Sequence, residues 1–382
     1  MGLLDYYRQF EGMSEEEVNR GLREEAEERR RKALTRVDTL DLSQTSWPEL
    51  PNPRIVNAIT FVARRGLHRY PHLRGNDLHD ELAASLELDG GRLILGNGAA
   101  ELLSSATRAL IGPGQRLLTL WPSYPLYPIM ARRAHGVATP VTGGVDELLA
   151  EAHKPGTRVI ALANPNDPTG ELLATAELER LLVGLPDEVA VLLDESLVEF
   201  VDEQPASDSL RLLEQHSNLL VFRSFSKAWG LAGLRVGYAI GGPRSRELLS
   251  ELEPDLGVSE VAQAGALEAL RTCSALLERH VQTVREERPK LIAALRERGF
   301  EVSDSQANFV WAAHPELSGG ELAARLEQAG ILIAEGDALG EPRHVRIAIR
   351  NAAATSRLLA AIDKLVTTEP AEPAVSPAPA DS

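Results

Sequence analysis

The sequence predicts an α/β protein with a large domain on a mostly parallel seven-stranded sheet between helices, followed by a smaller α+β domain. Three observations carry this. Seven short apolar runs alternate with helical segments between residues 92 and 240, at 93–95, 116–120, 137–141, 159–163, 190–193, 219–222 and 236–240. Strands joined by helical crossovers leave that pattern. From about residue 260 the alternation gives way to long helical stretches and then a few short strands. Finally, 382 residues with 43% hydrophobic and 25% charged side chains are enough for two cores.

Taken in order, residues 1–45 read as an arm. Ser14 is an N-cap followed by Glu15, Glu16 and Glu17, and the helix it starts runs to about Leu34. Its surface is mostly charge, with few apolar anchors such as Val18, Leu22 and Leu34, so it either lies across another surface or stays solvated. Pro48, Pro51 and Pro53 make an extended loop around Trp47. Helices are expected over 54–65, from near Asn76, and over 100–111, 175–183 and 208–215. The last two apolar runs are joined by a loop too short for a helical crossover, so the final strand is expected to be antiparallel. Beyond 260 come two long helices, the second kinked or divided by Pro289. They are followed by strands at 300–302 and 307–312, a helix at 320–329, strands at 331–334 and 345–349, and a helix at 354–366. After Thr368 the chain is nearly all Pro, Ala, Glu and Ser and cannot bury apolar area. The expected domains are a helical arm (1–45), a large domain (46–255), a small domain (256–367) and a disordered tail (368–382).

Composition excludes several function classes. A formal charge of −16 argues against a nucleic-acid surface, and the run Arg29-Arg30-Arg31-Lys32 is balanced by neighbouring glutamates. The single cysteine, Cys273, allows no intrachain disulfide and suits a reducing compartment. No apolar run is long enough for a membrane span, no secretory signal is visible, and no metal site is expected. A cytoplasmic location follows as the expectation.

Three polar clusters each follow an apolar run: Asn164-Pro165-Asn166-Asp167-Pro168-Thr169-Gly170, Asp194-Glu195, and Ser224-Phe225-Ser226-Lys227. Residues just past the ends of parallel strands gather at one sheet edge, where open α/β folds bind ligands. A turn explains any one cluster alone, but three in register point to a shared crevice. A desolvated lysine loses its proton and attacks carbonyls, so Lys227 is a candidate covalent anchor; alone, it also fits a solvated lysine in a glycine-rich loop. Ser224, Ser226 and Arg235 offer the hydroxyls and guanidinium that hold a phosphate. A group with both an aldehyde and a phosphate is pyridoxal 5′-phosphate. Asp194, at the end of an apolar strand, is costly unless paired; a pyridinium N–H is a suitable partner, and a helix N-cap is the alternative. Gly96-Asn97-Gly98-Ala99-Ala100 joins a strand to a helix and exposes N–H groups to an anion. Tyr124 either stacks on a flat ring or packs. Ser224 to Lys227 also satisfies S-x-x-K, the serine-acylation signature of penicillin-binding proteins, but neither S-D-N nor K-T-G accompanies it.

With these residues in place, the chain resembles the fold-type I pyridoxal-phosphate enzymes, in particular the histidinol-phosphate aminotransferase and threonine-phosphate decarboxylase group. The likeness runs from about Tyr70-Pro71 to Leu359. It rests on the N-P-N-x-P-T-G loop, Asp194-Glu195, Ser-Phe-Ser-Lys with Arg235, Ala307-Asn308-Phe309 and Arg346-Ile347-Ala348-Ile349-Arg350. The resemblance implies that Lys227 holds the cofactor as an aldimine and later shuttles the proton. It implies that Asp194 pairs the ring nitrogen and that Tyr124 stacks. Ser224, Ser226, Arg235 and the Ala99 and Ala100 backbone would hold the phosphate, and Tyr70 would reach the phosphate in the partner subunit of a homodimer. Asp167 would face the cofactor's phenolic oxygen. Arg346, Asn308 and Arg350 would bind the substrate. The implied activity is transfer of an amino group between an amino acid and a 2-oxo acid, in amino-acid metabolism or biosynthesis. The alternatives are an amino-acid decarboxylase and a cofactor-binding protein without turnover. Four features depart from the family pattern: Asp167 where asparagine is usual, Leu197 where tyrosine is usual, Ala334 where an arginine normally grips a substrate phosphate, and Thr45-Ser46-Trp47-Pro48-Glu49 in place of the N-E-N-P-type loop of the aminotransferases.

Overall fold

The computed structural model describes residues 39–72 and 75–367. The chain divides into two units, 1–40 and 41–382, and the description below concerns the second. The helix expected over 14–34 and the tail expected after 368 lie outside the described residues.

The seven apolar runs form one sheet. Its strands are β1 (Leu93–Gly96), β2 (Arg116–Leu120), β3 (Val137–Val141), β4 (Thr157–Ala163), β5 (Ala190–Asp194), β6 (Leu219–Ser224) and β7 (Gly237–Gly241), in the order β1-β7-β6-β5-β4-β2-β3. Strands β3, β2, β4, β5 and β6 pair in parallel, while β7 is antiparallel to both β6 and β1. The reason is the connection between β6 and β7. It carries Lys227 and holds a single 3-10 turn, Ala232–Leu234, so no helical crossover fits. Pro140 sits in β3, an edge strand, where a missing N–H breaks no interior ladder.

Both faces of the sheet are covered, which is why its strands read as unbroken apolar runs rather than alternating ones. Within β4, Ile160 and Leu162 join one hydrophobic cluster and Val159 and Ala161 the other. Helices α1 (Pro53–Gly66), α2 (Asn76–Ser85), α3 (Ala99–Leu110), α4 (Leu126–Arg133), α5 (Val145–Ala152), α6 (Thr175–Gly184), α7 (Asp208–Leu212) and α8 (Arg246–Leu252) belong to this part of the chain. Three of them, α4, α5 and α8, are short helices that the sequence pattern did not reveal.

Helices α9 (Glu260–Thr272) and α10 (Ser274–Glu297) follow. The second is continuous through Pro289, so the chain is not divided there. A four-stranded antiparallel sheet then forms from β8 (Glu301–Val302), β9 (Phe309–Ala313), β11 (Ala334–Glu335) and β12 (His344–Ala348), in the order β11-β12-β9-β8. The run 331–334 is two pieces rather than one strand. Its first piece, β10 (Ile331–Leu332), accepts from Leu42 N–H at 2.8 Å, and the Leu42 carbonyl accepts from Ala348 N–H at 2.8 Å. Residue 42 is therefore held between two elements of the C-terminal part. Helices α11 (Gly319–Gln328) and α12 (Ala352–Thr367) complete the chain. Among the described residues, no helix is long and apolar enough to cross a membrane.

Candidate active site

The ends of β4, β5 and β6 and the start of α3 meet around a cavity of about 200 Å³. Its walls include Ser46, Ala99, Ala100, Tyr124, Pro165, Asp167, Asp194, Ser196, Leu197, Ser224, Ser226, Lys227 and Arg235. The three polar clusters do reach one crevice, at the carboxyl ends of the parallel strands.

One end of the cavity is built for an anion. Gly98, with φ +86°, turns the chain from β1 into α3 so that the first N–H groups of the helix are free. Beside them, Ser224 Oγ donates to Ser226 Oγ at 2.9 Å and accepts from Ser226 N–H at 3.0 Å. Arg235 Nη1 donates to Ser226 Oγ at 3.3 Å and to the Ala232 carbonyl at 3.1 Å. The guanidinium lies against the turn: a Cβ on Gly98 would stand 2.3 Å from Arg235 Nη2. Two hydroxyls, a guanidinium and a helix N-terminus thus converge.

The other end is acidic. Asp194 closes β5 and is buried. Its Oδ1 accepts from Ser196 N–H at 3.0 Å, and Tyr127 O–H donates to Oδ2 at 3.3 Å. Burial pushes the carboxyl above the usual aspartate range, and these hydrogen bonds only partly oppose it. Burial, with the charge of Asp194 next, holds the Tyr127 phenol well above its ordinary value, so Tyr127 acts there as a donor. Tyr124 meets Tyr127 edge to face at 5.8 Å between ring centroids. Beneath the cavity, Arg223 Nε and Nη2 donate to Glu195 Oε2 at 2.9 and 2.8 Å. This buried pair ties β5 to β6 beside Asp194 and Ser224, the residues those strands deliver.

Lys227 lines the same cavity. Burial holds its amine below the usual lysine range, against the raising influence of Asp167 and Asp194. Its Nζ donates to Thr45 Oγ1. The loop 164–170 is set by its own polar residues. Asn164 Oδ1 accepts from Leu173 N–H at 2.8 Å, and Asn166 Nδ2 donates to Thr169 Oγ1 at 3.0 Å. Gly170 has φ +77°, and a Cβ there would stand 2.2 Å from Ser305 Oγ. The loop thereby docks on residues 305–306, and Gln306 N–H donates to the Gly170 carbonyl at 2.7 Å. At its tip, Asp167 Oδ1 accepts from Arg346 Nη1 at 2.5 Å. The Arg346 guanidinium also lies over the Phe309 ring, 5.3 Å from its centroid.

The remaining expected site residues are placed elsewhere. Asn308 is fully buried, and its Nδ2 donates to the Thr45 carbonyl at 2.8 Å. Arg350 is buried too, and its Nη2 donates to the Gln44 carbonyl at 2.6 Å. Both hold the segment whose next residues, Thr45 and Ser46, touch Lys227 and the cavity. Farther along this segment, Trp47 stacks on His280 at 3.9 Å, and His280 Nδ1 donates to the Ala228 carbonyl at 2.7 Å. Tyr70 is 84% exposed and outside the cavity. Sequence reasoning missed Thr45, Ser46, Ser196 and Tyr127. For Thr45 and Ser46, the signal was their position in a proline-rich stretch that stands in place of the family's N-E-N-P-type loop.

A buried amine whose pKa is lowered, between an anion cradle and a buried carboxylate, suits a ligand with a phosphate, a carbonyl and a basic ring nitrogen. These residues fit pyridoxal 5′-phosphate.

Residues 37–362 match the family model for aminotransferase class I and II. The chain is 36% identical over 333 residues to an aromatic amino acid aminotransferase of Corynebacterium efficiens, covering 85% of this chain and 92% of that one. It is 32% identical over 329 residues to histidinol-phosphate aminotransferase 1 of Nitrosococcus oceani, covering 85% and 88%. The fold superposes on the crystal structure of histidinol-phosphate aminotransferase from Sinorhizobium meliloti in complex with pyridoxal 5′-phosphate. The TM-score is 0.76 at 23% identity, over 87% of this chain and 92% of that chain, a likeness of fold alone.

Proposed function

The chain belongs to the class I and II aminotransferases and is a pyridoxal-phosphate-dependent transaminase, and we propose that Lys227, Asp194 and Arg346 divide its chemistry among them. When bound, the cofactor supplies an electron-withdrawing ring that stabilises the negative charge left when a proton is removed beside the substrate nitrogen. Lys227 would hold the cofactor through its amine and would carry the proton moved during the reaction. The observation that supports this is its burial, which lowers the amine's pKa and so favours the nucleophilic form between the two ends of the cavity. Asp194 holds the ring N–H. Its carboxylate is costly in this buried place without a cation, and a protonated ring nitrogen offsets that cost. Ser224, Ser226, Arg235 and the N–H groups of Ala99 and Ala100 would hold the phosphate, and Tyr124, on the cavity wall, would face the ring.

The substrate in this reading is an amino acid with one carboxylate and an uncharged side chain. Arg346 takes the carboxylate. Its cross-strand partner on β11 is Ala334, so no second cation stands beside it there. The relative in Corynebacterium efficiens, an aromatic amino acid aminotransferase, points the same way. The active unit in this reading is a cytoplasmic homodimer. Leu50, Phe61, Leu67 and Tyr70 on and around α1 expose large apolar surface, which a second copy would cover while Tyr70 reached its phosphate. Residues 46–255 would form the large domain and 256–367 the small one.

Reduction of the loaded enzyme with borohydride, followed by peptide mass mapping, tests the anchor. The cofactor mass is expected on the peptide carrying Lys227 and absent from Lys227→Ala. Cofactor fixed to another residue, or still fixed in the variant, contradicts the assignment.

A further inference from the structure

Arg346, the cation given above to the substrate's carboxylate, already has an anion. Asp167 Oδ1 sits 2.5 Å from its Nη1, and the two side chains are only 12% and 14% exposed. A charge-assisted bond so shielded from water is not a passing surface contact. The Arg346 guanidinium also lies over the Phe309 ring, and among the described residues its Nε has no hydrogen-bond partner. Of the two, it is Asp167 that lines the cavity.

The other cations of this region are committed or absent. Lys227 Nζ donates to Thr45 Oγ1, and burial holds its amine below the usual lysine range. Arg235 stands at the anion end, bonded to Ser226 and the Ala232 carbonyl. Arg350 donates to the Gln44 carbonyl. Position 334, opposite Arg346, carries a methyl group. The charged groups whose fields overlap that of Asp167 are therefore Arg346, Lys227 and Asp194, with the Tyr124 and Tyr127 phenols. An incoming carboxylate finds one guanidinium, already paired, and a second anion beside it. Two carboxylates then contend for one cation at short range, where like charges oppose each other.

We propose that Asp167 is a specificity-determining residue that acts as an internal competitor: its carboxylate occupies Arg346 and weakens the hold of the site on carboxylate ligands. The proposal rests on the reading of Arg346 as the carboxylate site. Asp167 thereby sets how much of a ligand's affinity comes from its carboxylate and how much from the remainder of the molecule. An uncharged ligand of the same shape does not meet this competition. Asparagine at position 167 keeps the shape and an oxygen facing Arg346 but carries no charge.

The test is equilibrium binding to the cofactor-loaded enzyme by calorimetry, with 3-phenylpropanoate and its neutral amide as unreactive probes. The proteins are wild type, Asp167→Asn, Arg346→Gln and the double variant, each first checked for cofactor loading and circular dichroism. Asp167→Asn is expected to bind the carboxylate about tenfold tighter than wild type and the amide equally well. Arg346→Gln is expected to lose most carboxylate affinity. In the double variant the gain from Asp167→Asn is expected to shrink to less than threefold. If Arg346→Gln binds the carboxylate like wild type, the assignment of Arg346 fails. If Arg346→Gln loses binding but Asp167→Asn shows no gain, that assignment stands and the competitor role is overturned. A full gain persisting in the double variant also overturns it, because Asp167 would then act without Arg346. An equal gain for the amide would assign the effect to shape and overturn it as well.

Discussion

Replacing Gly98 by alanine should loosen the phosphate grip while leaving the fold in place. Gly98 has φ +86° and ψ 158°, a backbone region that residues with a Cβ adopt at a cost of about 1–3 kcal/mol. The added methyl would also stand 2.3 Å from Arg235 Nη2, whereas carbon and nitrogen settle at roughly 3.5 Å. The guanidinium must therefore retreat by about 1 Å. It can do so, because Arg235 is an exposed, flexible side chain. That freedom moves the damage from folding to ligand binding. A hydrogen bond to a charged group contributes about 1.5–3 kcal/mol, so displacing one phosphate donor should weaken cofactor binding roughly 10- to 100-fold. Titrating the apoprotein with pyridoxal phosphate and following its visible absorbance gives the dissociation constant. Circular dichroism reports the fold. At saturating cofactor, borohydride should still fix it to Lys227, since the anchor is untouched. A folded variant whose dissociation constant stays within twofold of wild type would refute the placement of the phosphate against this turn.

Two further predictions follow from buried titratable groups. The folded pKa of Asp194 is raised above its unfolded value, chiefly by burial, so its contribution to stability is present at acid pH and lost as pH rises through the folded pKa. Asp194→Asn should therefore stabilise the apoprotein at pH 7, by on the order of 1 kcal/mol, with the gain fading towards pH 4. Thermal unfolding across that range checks it, and a gain that grows on acidification contradicts it. The folded pKa of Lys227 is lowered by burial, so between its folded and unfolded values the unfolded chain binds more protons and stability rises with pH. The same shift makes the amine reactive earlier. Cofactor capture by the apoprotein should reach its plateau below the ordinary lysine pKa of 10.5, and a rate still climbing there in stopped-flow absorbance counts against a desolvated lysine.

The large sheet was legible in the sequence because both of its faces are buried. Strands covered on two sides read as unbroken apolar runs, and each of the seven runs is a strand. The antiparallel β7 was legible from loop length alone. Helices α4, α5 and α8 were not, because each has only seven or eight residues, and α4 carries Pro128 in its first turn. Pro289 does not divide α10, whose neighbouring turn makes tertiary contacts. The adjacent Arg288 donates to the Phe200 and Ala307 carbonyls and to Asp202, contacts that no local rule weighs. In the site, residues just past strand ends were readable because the parallel sheet gathers them. The Asp167–Arg346 pair was not, since its members are 179 positions apart and meet only because the loop 164–170 docks on residues 305–306. Thr45 was equally hidden: it reaches Lys227 across 182 positions.

The central claim is that this cavity transfers an amino group, with Lys227 as the amine that receives and returns the cofactor. The most direct measurement is a single half-reaction. The loaded enzyme is mixed with one uncharged-side-chain amino acid and no oxo acid, while the cofactor's spectrum and the small-molecule products are followed together. Transamination predicts conversion of the cofactor to its amine form, with one equivalent of 2-oxo acid per site and no carbon dioxide. Carbon dioxide released while the cofactor keeps its aldehyde oxidation state, or an unchanged spectrum with every amino acid offered, would contradict it.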